Sequence, residues 1–332
     1  MKSFLLLLSL LILISYNSVA QSSPYALYKR IPLPGDGGYD YLYVDQANQR
    51  LYVSHGNKVH VIDLRTLEAI GSIDSLQGVH GIAVVNALKE GFISDGRANA
   101  VRVFDLQSLK TIANIPLNGK NPDAITYDPY SKMVFAFNAG SNNASIIDPA
   151  LRKETGVIEL GGAPEFAVPD GNGNIFNNLE DKSSLVVIDT KTMKVDHTYP
   201  LSPCGGPTGL AIDLPNQRLF TVCRENKGMS VVNMTNGNVI ATLPIGAGVD
   251  AVAYDAGSKL IFTSNGEGTV TIIRQDSPDR YSIVQTLATQ VRARTMALDP
   301  KSHNIYLSVA EADPTTRKIT PGTFSLLVYK MQ

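Results

Sequence analysis

Short runs in which hydrophobic and polar residues alternate recur along most of the chain. Residues 58–62 (KVHVI) and 210–213 (LAID) show a period of two, and turn-forming clusters such as 45–48 (DQAN) and 265–268 (NGEG) separate such runs. A period of two is typical of β-strands that bury one face. No helical periodicity of useful length follows residue 20, so the pattern predicts an all-β fold.

A longer unit repeats seven times from residue 38 onward. Each copy closes on an apolar pair that Asp follows in four copies, at residues 61–63, 103–105, 146–148, 187–189, 231–233, 272–274 and 327–329. The steps between these segments are 42, 43, 41, 44, 41 and 55 residues. Four-stranded propeller blades have a period of about 40–45 residues, whereas ankyrin and TPR repeats have about 33 or 34. The spacing therefore predicts seven four-stranded blades.

The seventh unit stops after its third strand, at the end of the chain. Residues 28–33 (YKRIPL) resemble the end of a fourth strand and its exit, residues 115–118 (IPLN). An N-terminal strand that completes the last blade would close the ring and remove its open sheet edges. We therefore expect a closed seven-bladed β-propeller that forms a single domain over residues 21–332.

The first 20 residues have the pattern of a secretory signal peptide. Lys2 supplies the positive charge, residues 4–14 are apolar, and residues 18–20 (SVA) form a small-x-small cleavage site. The apolar stretch is well short of the roughly 20 residues that span a bilayer. We expect cleavage after Ala20 and an exported, periplasmic or secreted, protein without a membrane anchor.

Several motifs resemble those of one known family. Residues 119–128 (GKNPDAITYD), the strands 51–54 (LYVS) and 261–264 (IFTS), and the Val-Ile-Asp endings resemble the YVTN-repeat seven-bladed propellers, in particular the exported YncE-like branch. The resemblance covers residues 25–332 and implies the propeller fold. It implies less about activity, because propellers include binding proteins, lyases, lactonases and electron-transfer modules.

One position of the repeat carries the candidate site. At the start of each innermost strand, where residues of all blades can converge on the central channel, the units place Asp40, His80, Asp123, Glu165, Thr208, Asp250 and Arg294. We call these seven the entry residues and predict that they bind a ligand. Asp123, Glu165 and Asp250 are candidate ligands of a divalent cation, the one cofactor that the sequence suggests.

The loops between the second and third strands should emerge on the same face of the ring, which we call the funnel face. They contribute His55, Asp95, Asn138, Asn178, Cys223, Asn265 and Glu311. A structural alternative exists for the entry carboxylates, because Asp and Glu at strand ends often accept hydrogen bonds from turn amides. His80 and Arg294 break the acidic pattern, although Arg294 could serve only to neutralise the carboxylates.

Two functional hypotheses follow. The first is a monomeric binding or scaffold protein that holds a small molecule or protein partner at the funnel face of the ring. The second is a lactonase-like hydrolase or lyase, in which His80 carries the proton and Arg294 stabilises an anionic intermediate. The family resemblance also suggests that the protein contacts DNA. The net charge of −1 and the scattered basic residues disfavour a nucleic-acid partner.

Two further features concern single blades. Cys204 and Cys223 are the two cysteines, both on the funnel face of blade five, and export favours a disulfide between them. The long last step places about a dozen extra residues in the segment 309–322. This segment could be a lid or a partner contact, or an insertion without a role.

Overall fold

The computed structural model describes residues 25–332, so the predicted signal peptide lies outside the described residues. Within this range the chain forms seven four-stranded antiparallel sheets. The innermost strands contact one another in cyclic order, from the first blade to the seventh and back to the first. The predicted all-β, seven-bladed propeller is confirmed.

The strands follow one another with short turns, and each blade runs from the central channel outwards. Blades one to three contain β2 (Tyr39–Asp45), β3 (Arg50–His55), β4 (Lys58–Asp63), β5 (Glu68–Ile73); β6 (Val79–Val85), β7 (Glu90–Asp95), β8 (Ala100–Asp105), β9 (Thr111–Pro116); β10 (Pro122–Asp128), β11 (Met133–Asn138), β12 (Asn143–Asp148) and β13 (Lys153–Glu159). Blades four to six contain β14 (Pro164–Pro169), β15 (Asn174–Leu179), β16 (Ser184–Asp189), β17 (Lys194–Pro200); β18 (Pro207–Asp213), β19 (Arg218–Cys223), β20 (Gly228–Asn233), β21 (Val239–Pro244); β22 (Val249–Asp255), β23 (Leu260–Asn265), β24 (Thr269–Ser277) and β25 (Arg280–Ala288).

Blade seven is built from both ends of the described chain. It contains β26 (Met296–Leu298), β27 (Ile305–Val309) and β28 (Ser325–Met331), with β1 (Tyr25–Pro32) as its outermost strand. β1 and β28 pair antiparallel from Tyr25 opposite Met331 to Pro32 opposite Ser325. The N-terminal closing strand is therefore confirmed, and it begins three residues before the predicted segment.

The hydrophobic core is divided into seven clusters, one between each pair of adjacent blades. The alternation of the strands produces this division. Leu51 and Val53 of β3 pack against blade seven, whereas Tyr52, between them, packs against blade two. Both faces of a blade are thus buried, and the second strand of the first six blades is buried along almost its whole length.

Helical structure in residues 25–332 consists of two single turns of 3₁₀ helix, Gly96–Ala98 and Glu180–Lys182. Accordingly, this part of the chain has no helix with the length and hydrophobicity needed to cross a membrane.

Candidate ligand-binding funnel

The entry residues of the first six blades lie at β-bulges. In six blades the pairing of the innermost strand with its neighbour shifts register where that strand begins. The residues skipped by the ladder are Asp40–Tyr41, His80–Gly81, Asp123–Ala124, Glu165–Phe166, Thr208–Gly209 and Asp250. A bulge re-aims side chains and releases backbone groups from the ladder. The repeat position singled out from the sequence is therefore a recurrent bulge.

Serines of the second strand stabilise these bulges. The Oγ of Ser54 accepts a hydrogen bond from the Asp40 amide at 2.9 Å, and the Oγ of Ser94 accepts one from the Gly81 amide at 2.7 Å. Ser264 donates to the carbonyl of Arg294 in the next blade. The serine of the repeated strand motif thus holds the candidate site in position.

Asp40, His80 and Asp123 come together from blades one, two and three. The Nδ1 of His80 lies 2.6 Å from Oδ2 of Asp40 and 3.4 Å from Oδ1 of Asp123. Because Nδ1 carries at most one proton, its short contact with Asp40 leaves Asp123 Oδ1 without a donor. That oxygen is buried and has no hydrogen-bond partner among the described residues.

Burial and the neighbouring carboxylates together shift the pKa values in this triad. Burial lowers the pKa of His80, but the hydrogen bond to Asp40 and the negative charges of Asp123 and Asp40 outweigh it, so the pKa is raised. Burial, together with the charge of Asp40, raises the pKa of Asp123 to about 7. A rise in both values means that the triad tends to retain protons.

Four charged residues from blades four to seven form a second chain of contacts. Arg224 Nη1 lies 2.5 Å from Glu180 Oε1, and its Nη2 bonds to Asp250. Arg294 Nε lies 3.3 Å from the other oxygen of Asp250. Burial raises the pKa of Asp250, and the two arginines partly oppose this effect. Glu180 and Arg224 were not predicted from the sequence, although Arg224 directly follows Cys223.

Glu165 and two aromatic rings occupy the channel between these groups. Tyr41 and Phe166, from blades one and four, meet across the channel with ring centroids 4.6 Å apart. At the equivalent bulge position blades two, three and five carry small residues, Gly81, Ala124 and Gly209. Burial, followed by the charge of Asp123, raises the pKa of Glu165 to about 9.

Two cavities open onto these residues. An inner cavity of about 170 Å³ is lined by Asp123, Glu165 and Asp250, with the two aromatic residues beside them. An outer cavity of about 620 Å³ is lined by His80, Arg97 and glycine-rich loops. Asp40 and Arg294 line both cavities. We call the two together the funnel. The three predicted cation ligands therefore share the inner cavity, although Asp250 is already paired with arginines.

Thr208 differs from the other entry residues. It is fully buried and lines neither cavity of the funnel. Its carbonyl accepts a hydrogen bond of 2.9 Å from Asn178 Nδ2. Its role in the structure is to link adjacent blades.

The residues of the second-to-third loops mostly build the blades. The Asp95 carboxylate accepts hydrogen bonds from the amides of Gln77 and Gly78. The side chains of Asn138 and Asn265 donate hydrogen bonds to hydroxyl groups of their own blades. The ring of His55, also in this set, stacks on Phe324 in the core. Glu311 is exposed, and its amide donates to Thr323.

Acidic residues that bind turn amides, the structural alternative for the entry carboxylates, lie at other positions of the funnel face. Asp95, Asp181 and Glu267 accept hydrogen bonds from loop amides at the funnel face. Among the described residues, no backbone amide donates to the carboxylates of Asp40 or Asp250, which instead contact histidine and arginine. These two entry carboxylates are therefore not turn-building groups.

The expected disulfide is present in blade five. Cys204 and Cys223 are joined, with their Cα atoms 5.1 Å apart. The bond attaches the loop before β18 to the end of β19, directly before Arg224. It therefore fixes the backbone from which one funnel arginine extends.

The extra residues of the last blade form the loop between β27 and β28. Ala312 and Ile319 make an isolated β-bridge within it, and the amide of Gly322 donates to Asp36 of the first blade. Ile319 lines a third cavity, of about 410 Å³, together with Arg292 and Arg294. The loop thus lines a cavity beside the funnel, and the two share Arg294.

Several known proteins are similar to this chain in sequence. No family model matches the chain. The uncharacterized protein YncE of Salmonella typhi is 20% identical, over 96% of this chain and 94% of its own length. YncE of Escherichia coli K12 is 21% identical with the same coverage. Antigen Lp49 of Leptospira interrogans is 36% identical, over 23% of this chain and 16% of the antigen.

A solved structure shows the same fold. A chain of hydrazine synthase from Kuenenia stuttgartiensis has a TM-score of 0.68 at 17% identity, covering 85% of this chain and 93% of that chain. At this identity the likeness concerns the fold alone. The chain is a seven-bladed β-propeller whose sequence is similar to YncE over nearly its whole length.

Proposed function

We propose that this chain is a binding protein that holds a small polar ligand in the funnel. One observation carries the proposal. Asp40 and Asp250 at the channel contact histidine and arginine side chains around open cavities, whereas other acidic residues of the same face bind turn amides. Charged groups gathered in a partly buried cleft cost desolvation free energy, so a purely structural role explains them poorly.

The charges define the kind of ligand. Arg294 is half-exposed, with 49% of its side chain accessible, and can turn from Asp250 towards a bound anion. The carboxylates of the inner cavity can bind a cationic group. The funnel therefore suits a compact polar molecule better than an apolar one.

A thermal-shift screen of small polar molecules, followed by calorimetry on the hits, tests this proposal. We expect Arg294→Ala to weaken the binding of a hit at least about tenfold, as for the loss of one charge-assisted hydrogen bond. Arg280→Ala is the matched control, because Arg280 lines a cavity at the outer side of blade six. Equal affinities of the two variants would contradict a funnel site.

The enzyme hypothesis stays a second candidate because of one contact. A histidine held by a carboxylate at 2.6 Å is an arrangement that suits general acid–base catalysis. A panel of lactones and esters tests it. Turnover that is lost in His80→Ala and retained in His303→Ala would favour the enzyme; turnover that is unchanged in His80→Ala would rule out His80 as the proton carrier.

We also propose that the chain is exported as a single propeller domain, residues 21–332. The disulfide, the signal-like N-terminus and the likeness to YncE support this. Intact-mass analysis of the protein from its native host should show cleavage after Ala20 and a mass two hydrogens below that of the free dithiol. A retained Met1 together with two free thiols would contradict export.

A further inference from the structure

We propose that Asp40, His80 and Asp123 bind one divalent transition-metal cation, of which Zn²⁺ is the representative. The inference rests on the proposed function, because it names a ligand class of the same funnel. One oxygen from each carboxylate and a ring nitrogen of His80 all lie within 4.8 Å of one another. Imidazole nitrogen combined with carboxylate oxygen is a donor set suited to zinc and its neighbours.

The buried Asp123 oxygen is an independent observation that indicates a ligand. Its Oδ1 faces His80 Nδ1 at 3.4 Å but accepts no hydrogen bond from any described residue. A buried acceptor without a partner loses its hydration without compensation. A cation held between Asp123 and His80 would satisfy this oxygen, replacing the single proton that His80 can share with only one carboxylate.

The cavities provide access to the triad. Asp40 lines both cavities of the funnel, His80 the outer one and Asp123 the inner one. A cation at this junction would have three protein ligands and an open side. That arrangement is typical of sites that leave a coordination position for water or substrate. Arg97 lines the outer cavity, and the two carboxylates of the triad exceed its single positive charge.

A second histidine–aspartate pair in the same chain shows what the triad adds. His303 Nδ1 lies 2.6 Å from Asp255 Oδ2, the same separation as between His80 and Asp40. Asp255 also accepts hydrogen bonds from the Gly257 amide and the Ser258 hydroxyl. Both of its oxygens thus have partners, and the pair joins blades six and seven. The pair at His80 differs by its second carboxylate and its cavity.

Calorimetry on the tag-free mature chain, stripped with a chelator and titrated with Zn²⁺, tests the site. We expect one Zn²⁺ per chain, and a loss of affinity of at least about tenfold in Asp123→Asn and in His80→Gln. His303→Gln is the matched control and should bind as the wild type does. Thermal unfolding without metal checks that all three variants are folded.

Three outcomes would overturn the site: no Zn²⁺ binding by the wild type, unchanged binding in Asp123→Asn, or an equal loss in His303→Gln. Calcium bound more tightly than zinc and unaffected by His80→Gln would also overturn it, because the imidazole would then not be a ligand. Arg294-dependent binding of a small molecule by a chain that binds no Zn²⁺ would reject the metal site and leave the funnel proposal standing.

Discussion

At the scale of single residues, the partners of a carboxylate distinguish its role better than its identity does. Asp128 and Asp299 lie at the ends of innermost strands, and their carboxylates accept hydrogen bonds from amides of the turns that follow. Asp40 and Asp250, at the starts of such strands, contact a histidine and two arginines. The same residue type therefore closes turns where innermost strands end and lines a charged funnel where they begin.

Glu165 should make the protein less stable at alkaline pH. Burial and Asp123 raise its folded-state pKa from 4.5 to about 9. A raised folded pKa means that the stabilising contribution is complete below pH 4.5 and is lost as the pH rises towards 9. We expect Glu165→Gln to lose less stability than the wild type between pH 5 and 8.5, measured by denaturant unfolding. Glu68→Gln, an exposed position, should follow the wild type.

The buried pair His55 and His60 should have the opposite pH dependence. Burial, with further contributions from neighbouring positive charge, lowers the pKa of each ring from 6.5 to about 4. Between pH 4 and 6.5 the unfolded chain binds more protons at these rings than the folded chain does. The free energy of unfolding therefore falls as the pH drops from 6.5 to 4, by at most about 3 kcal/mol per ring. In His60→Gln this fall should be smaller, and in the exposed-site control His197→Gln it should be unchanged.

At the scale of elements, the recurrent bulge and the close approach of innermost strands belong together. The bulge directs pairs of residues towards the channel, and a small second residue lets neighbouring strands come close. A Cβ on Gly209 would lie 2.7 Å from the amide nitrogen of Val252 in the next blade. Tyr41 and Phe166 are large at this position because they extend across the channel instead.

Gly209→Ala tests this packing. Its methyl group would meet backbone that cannot move without disturbing blade six, so we expect a loss of about 1–3 kcal/mol in the free energy of unfolding. Gly38→Ala is the control, since a Cβ there would meet nothing within 4 Å. Chemical denaturation of the two variants measures the difference. Equal losses would show that the approach of β18 and β22 does not limit side-chain size.

At the scale of the whole molecule, stability depends on closing the ring between β1 and β28. Tyr25 is fully buried at this joint, its hydroxyl donates to the carbonyl of His303 at 2.7 Å, and its ring packs on Phe262. We expect Tyr25→Ala to cost about 3–5 kcal/mol of unfolding free energy, as for other buried aromatic truncations. Tyr28→Ala, at a side chain that is 60% exposed in the same strand, should cost far less.

The fold was accessible from the sequence because each blade is a local unit with its own period. The apolar pairs before Asp63, Asp105 and Asp148 mark one strand per blade whatever the rest of the ring does. The entry residues followed from the same register. Arg224 and Glu180 did not, because they lie on loops of blades five and four. Arg224 contacts Glu180 and Asp250 only once the ring sets the angles between blades.

The contact between Tyr41 and Phe166 affects how a ligand would exchange. With two rings meeting across the channel, a molecule in the inner cavity would leave by the opening through which it entered. Residence time would then depend on that opening. A protein docked on the funnel face would block this opening and slow the association and dissociation of the ligand equally. If the docked protein made no contact with the ligand, the equilibrium affinity would be unchanged.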